Sequence, residues 1–124
     1  MKKEMWAYID SFHDYMISNR GRVYSTKREI VLSQNINNKG YCRVSLKHIE
    51  NGVNLLGKRQ YLVHVLVVKA FGDKRKQKYN QEYNIDHVDG NKQNNTIENL
   101  ELVSHSENML RYYERYKHEI EEIF

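Results

Sequence analysis

Proline is absent from the 124 residues, cysteine occurs once and glycine only six times. A lone Cys42 can neither close an internal disulfide nor build a cysteine-rich zinc knuckle, so it points to a reducing compartment, the cytosol by default. Stability must then come from an apolar core, which at this length is modest and suits one cooperative unit. Long apolar runs are missing as well. The stretch from Leu62 to Val68 is short and interrupted by His64, and the start MKKEMWAYID is charged and then aromatic. These features predict a chain that neither crosses nor is targeted to a membrane. With no proline, turn chemistry falls to thirteen asparagines and the few glycines.

Charge is plentiful and segregated. Residues 39–78 carry ten Lys/Arg against two Asp/Glu, while residues 82–124 carry four against ten. A basic stretch that could hold phosphates beside an acidic one that could hold a metal suits a metal-dependent nuclease, although two differently solvated faces would give the same count.

Up to about Leu56 the pattern predicts an antiparallel meander with strands at Trp6–Ile9, Arg22–Thr26, Glu29–Ile36, Tyr41–His48 and Val53–Leu56. Asn19-Arg20-Gly21, Asn37 to Gly40 and Asn51-Gly52 supply the turns. In the strand from Tyr41 to His48 one face carries Tyr41, Arg43, Ser45 and Lys47, the other Cys42, Val44, Leu46 and His48. The first face suits nucleic acid. Residues 61–71 switch to helical spacing, with Leu62, Leu66, Val67, Ala70 and Phe71 on one stripe. His64 on this helix, like His13, His48 and His118, is expected to be a packing residue. A basic loop from Asp73 to Lys78 follows, then strands at Asn84–Val88 and Leu100–Val103 around an Asp89-Gly90-Asn91-Lys92 turn. Ser104 with Glu107 forms a capping box for a last helix, on which Met109, Tyr113, Tyr116, Ile120 and Ile123 repeat as packing residues.

The segment IDHVDGNKQNNTIENLELVSHSEN, Ile85 to Asn108, carries the chemistry. Hydrolysis of a phosphodiester needs a water, a group to take its proton, and an electrophile for the phosphate and leaving oxygen. His87 can take the proton. Asp86 and Asn108 offer the hard oxygen donors that suit magnesium or manganese. Adjacent residues of a regular strand point to opposite sides, so Asp86 and His87 are expected to share one site through a bend or bulge. Asn91, Asn94 and Asn95 read most simply as turn formers, with a connecting role near the site as the alternative.

At these residues the sequence resembles the HNH endonucleases, in particular the branch of phages and group I intron homing enzymes. The resemblance implies an α+β chain. Its N-terminal antiparallel sheet, residues 1–58, is the DNA-binding region, and residues 59–124 are the ββα-metal nuclease region, both in one cooperative unit. It implies Asp86 and Asn108 as the metal ligands, His87 as general base, and Asn99 as the residue that ties down the loop and fixes the histidine. Asn99 lies twelve positions after His87 and Asn108 nine positions after Asn99, which fits that branch. The stretch from Trp6 to Phe12, followed by Tyr15 to Ser25, is similar to the DNA-binding motif that precedes such domains. His64-Val65-Leu66-Val67 stands where the family carries His-Arg-Leu-Val, one basic residue fewer. Larger members carry a C-terminal helix-turn-helix region with no counterpart here before Phe124, so weaker site specificity is expected.

The expectations are therefore an enzyme that uses one Mg2+ or Mn2+ per site to hydrolyse double-stranded DNA. One strand is nicked per site, by a monomer or weak dimer in the cytoplasm of a bacterial or phage-infected cell. Arg22, Arg43, Lys47, Lys74, Arg75 and Lys76 are the candidate DNA contacts. Two other classes compete, a catalytically weak DNA-binding or regulatory protein on the same scaffold and a nuclease acting on RNA. Intact Asp86, His87, Asn99 and Asn108 argue against the former.

Overall fold

The computed structural model describes residues 3–50, 53–73 and 83–123. Four strands, β1 (Trp6–Ile9), β2 (Phe12–Ser18), β3 (Val23–Ser25) and β4 (Ile30–Val31), pair antiparallel in chain order. A second antiparallel sheet holds β5 (Asn35–Ile36), β6 (Cys42–Glu50) and β7 (Val53–Leu62). Helix α1 (Val63–Phe71) leaves β7 without a break. Strands β8 (Tyr83–His87) and β9 (Leu100–Ser104) then pair antiparallel around a loop that ends in a short 3-10 turn, Ile97–Asn99, and helix α2 (His105–Ile123) follows. This is the α+β order read from the sequence. No helix among the described residues is long and apolar enough to cross a membrane.

Helix α1 forms the hub. Its Val63, Leu66, Val67 and Val68 are buried together with Ile9, Ile17 and Val23 of the first sheet, Cys42, Val44 and Leu46 of β6, and Leu100 of β9. Each such side chain contributes about 1.5–3 kcal/mol by leaving water. One core therefore spans both sheets and reaches the β8/β9 pair. The expected alternation in β6 holds: Cys42, Val44 and Leu46 are buried, while Lys47 on the opposite face is exposed.

Five readings change. Phe12–Ser18 is a strand that the sequence hides, because His13, Asp14 and Ser18 break the apolar alternation; His13 is exposed rather than packed. The single strand expected over Glu29–Ile36 is two short edge strands in different sheets, β4 and β5, whose Ile30, Val31 and Ile36 stay exposed. Strand β7 runs through Gly57 and the polar Lys58-Arg59-Gln60 to Leu62, paired with β6 as far as Arg43, so α1 starts two residues later than expected. Met109 and Tyr113 are exposed, since α2 packs against β8 and β9 and is tied there by arginine ion pairs. The expected turn Asn51-Gly52, the loop residues Lys74, Arg75 and Lys76, and the side chains of Tyr116, His118, Ile120 and Ile123 lie outside what is described.

Candidate active site

Strand β8 delivers Asp86 and His87, and α2 delivers Asn108. All three line one cleft of about 270 Å³ together with Tyr41, Ile85, Gly90, Lys92, Tyr112 and Arg115. The bulge expected between Asp86 and His87 is absent, because β8 and β9 stay in register from Tyr83↔Ser104 to His87↔Leu100. The two side chains do reach different neighbours. Asp86 Oδ2 accepts from Arg111 Nη1 at 3.0 Å, and Arg115 lies 3.8 Å from Oδ1. The His87 ring meets His64 at 5.1 Å and Tyr41 at 5.9 Å between centroids. The cleft reaches both because it opens at the end of the strand, where the chain turns at once and Gly90 N donates to the His87 carbonyl at 2.8 Å.

Asn99 lies under that turn. Its Oδ1 accepts from Asp89 N at 3.0 Å, and its Nδ2 donates to Asp89 Oδ1 at 2.9 Å and to the Asn94 carbonyl at 2.8 Å. Its own carbonyl accepts from Val88 N at 2.9 Å. The side chain thus closes the loop from both ends. Asp89 is the common acceptor, and donation from Asn94, then from the Asn91 amide and from Asn99, holds its carboxyl below the ordinary carboxylate value.

Asn95 is more than a turn former. It is 5% exposed, and its Oδ1 lies 2.8 Å from His87 Nε2, which is likewise buried. Arg111 was also not legible as a site residue: besides Asp86 it bonds Glu101 at 3.0 Å and Glu107 at 3.2 Å. These anions, Glu101 and Asp86 foremost, push its pKa upward. The i, i+4 spacing of Glu107, Arg111 and Arg115, next to Asn108, was the signal available for it. His64 is a packing residue with one anomaly, because its buried Nδ1 has no hydrogen-bond partner. Burial, then the neighbouring His87, lowers its pKa to about 4, so it is neutral at pH 7.

The donor set fits a hard divalent cation: a buried carboxylate and an amide side chain share one cleft, and both offer oxygen. Among the described residues no cluster of three or more His, Cys, Asp or Glu gathers, so a cation here would complete its shell largely with water and phosphate oxygens. Asp86 would have to be shared with, or released by, Arg111.

Of the expected DNA contacts, Lys47 lines a groove of about 690 Å³ between the two N-terminal sheets, in company with Lys27, Arg28 and Lys58, which the sequence did not single out. Arg22 instead forms an ion pair with Glu4 and lies 5.4 Å from the Trp6 ring, and Arg43 Nε donates to Asn35 Oδ1 at 2.7 Å. Neither is shown in that groove.

The fold and this constellation define a ββα-type site behind an antiparallel sheet, and comparison with known proteins gives the family. The NUMOD4 motif matches residues 4–47 and the HNH endonuclease family matches residues 61–110. The chain thus joins a NUMOD4 motif to an HNH endonuclease region and is similar to the HNH endonucleases. It is 35% identical over 105 residues to DNA endonuclease I-HmuI of Bacillus phage SP01, covering 84% of this chain and 55% of that protein. With H-N-H endonuclease F-TflII of Escherichia phage T5 it shares 30% identity over 111 residues, 90% of this chain and 53% of that one. A solved structure, described as DNA binding and cleavage by the HNH homing endonuclease I-HmuI, superposes with a TM-score of 0.73 at 32% identity, covering 90% of this chain and 59% of that chain. The chain thus spans little more than half the length of these relatives, and only 26% of an HNH endonuclease from Acanthamoeba polyphaga mimivirus to which it is 36% identical.

Proposed function

We propose that this chain hydrolyses phosphodiester bonds in double-stranded DNA, nicking one strand per site, with His87 as general base and one Mg2+ or Mn2+ held by Asp86 and Asn108. The observation that carries the reading is the cleft that joins these three side chains. His87 takes the proton of the attacking water, and Asn99 fixes the loop that follows it. When bound, the divalent ion supplies positive charge to the scissile phosphate and its leaving oxygen. Lys92 and Arg115, which line the same cleft, add charge for the flanking phosphates. The groove with Lys27, Arg28, Lys47 and Lys58 carries the duplex backbone, with residues 1–58 and 59–124 working as one unit. A single ββα site cuts one strand, so a monomer or weak dimer nicks.

The test is incubation of purified protein with supercoiled plasmid, linear duplex, single-stranded DNA and RNA, each with Mg2+, Mn2+ or chelator. Relaxation of plasmid that chelator abolishes is expected, with slower turnover of RNA. Metal titrations of Asp86→Ala and Asn108→Ala on the plasmid check the ligands, and loss of Asp86, the only formal negative charge among the two proposed ligands, should cost more. If both variants keep the wild-type rate and metal midpoint, the one-metal site is wrong.

A further inference from the structure

The turn of the N-terminal sheet reaches the active site. Asn19 is 3% exposed, and its carbonyl accepts from Ile97 N at 2.8 Å, in the loop that leads to Asn99. The turn itself is rigid, since Asn19 Oδ1 accepts from Met5 N at 2.9 Å and Ser18 Oγ accepts from the amides of Arg20 and Arg22 at 3.1 Å. Gly21 packs so closely on Asn95 that a Cβ added to it would lie 2.8 Å from Asn95 Cβ and 3.1 Å from its carbonyl oxygen. Asn95 is therefore clamped between this turn and the ring of His87.

We propose that Asn95 is a positioning residue for His87: its side-chain oxygen accepts the proton on Nε2, which leaves Nδ1 as the atom that receives the proton of water, and the Asn19–Gly21 turn holds Asn95 in place. A neutral imidazole has one donor and one acceptor nitrogen, and an amide oxygen on one side settles which is which. Among the described residues Nδ1 of His87 has no hydrogen-bond partner. The motif matched to residues 4–47 thus has a part in catalysis besides any hold on DNA. This rests on the reading of His87 as the base.

The experiment is nitrogen-15 NMR of the His87 side chain together with plasmid kinetics, in wild type, Asn95→Ala, Asn95→Asp and His87→Ala. In wild type the proton should sit on Nε2 and exchange slowly with water. Asn95→Ala should lose that slow exchange and lower kcat about 10- to 100-fold with KM for plasmid little changed, as loss of an orienting partner does. Asn95→Asp, which can only accept, should keep the protected Nε2 proton. A proton on Nδ1 in wild type, or an Asn95→Ala protein that keeps both the protection and the rate, overturns the proposal; the wild-type spectrum decides even if the alanine variant does not fold. If His87→Ala cleaves like wild type while the Nε2 proton is protected by Asn95, the base assignment fails and the contact remains.

Discussion

Replacing Gly21 by alanine sets a methyl carbon 2.8 Å from Asn95 Cβ and 3.1 Å from the Asn95 carbonyl, neither of them the free end of a flexible side chain. The backbone there has φ of +83°, which costs an L-residue about 1–2 kcal/mol before any clash. Overpacking at such a close approach adds about 1–3 kcal/mol. Gly57 separates the two contributions, because its φ is +67° while an added Cβ would meet nothing within 4 Å. Gly57→Ala should therefore lose only the backbone part, and Gly21→Ala about 1–3 kcal/mol more, by urea unfolding. Relief of the clash by a few tenths of an ångström at Asn95 stretches its 2.8 Å hydrogen bond with His87, so plasmid nicking per folded molecule should fall in Gly21→Ala and not in Gly57→Ala. Equal destabilisation and equal rates in the two variants would show that the turn does not press on the loop that carries Asn95.

His64, with its pKa lowered from 6.5 to about 4, is neutral in the folded chain while the unfolded chain protonates it, so stability is full above pH 6.5 and falls as pH drops toward 4. The loss is at most about 3 kcal/mol, and a urea series against pH should show a flatter curve for His64→Phe; the same slope in both would remove His64 as its source. Asn99→Ala gives up three side-chain hydrogen bonds, about 2–4 kcal/mol, and should slow cleavage while leaving Mn2+ binding measurable; unchanged stability would contradict the geometry. Neutralising Lys27, Arg28, Lys47 and Lys58 together should weaken duplex binding and flatten its dependence on salt by about one unit of slope for each phosphate that no longer meets a cation, and an unaltered slope would move the DNA to another face.

Local features of the chain were legible because local physics sets them. The capping box reads from four residues and is seen as Glu107 N donating to Ser104 Oγ at 3.1 Å. The alternation of Cys42, Val44 and Leu46 fixes the buried face of β6, and the spacing of His87, Asn99 and Asn108 pointed to the family that the comparisons then gave. Where pattern and neighbourhood conflict, the sequence misleads. Phe12–Ser18 becomes a strand because β1 and β3 pair with it on either side, not because its residues alternate. Glu29–Ile36 divides because its two ends find edges of different sheets. The contacts of Asn95 and Gly21 were out of reach for a stronger reason. Nothing in Asn-Asn-Thr distinguishes an asparagine that bends a loop from one that holds a histidine. Gly21 meets Asn95 only because one core joins the N-terminal sheet, α1 and β9. Composition and periodicity specify most of the elements, while contacts between residues far apart in the chain exist only after the core has closed, and these contacts surround the ring of His87.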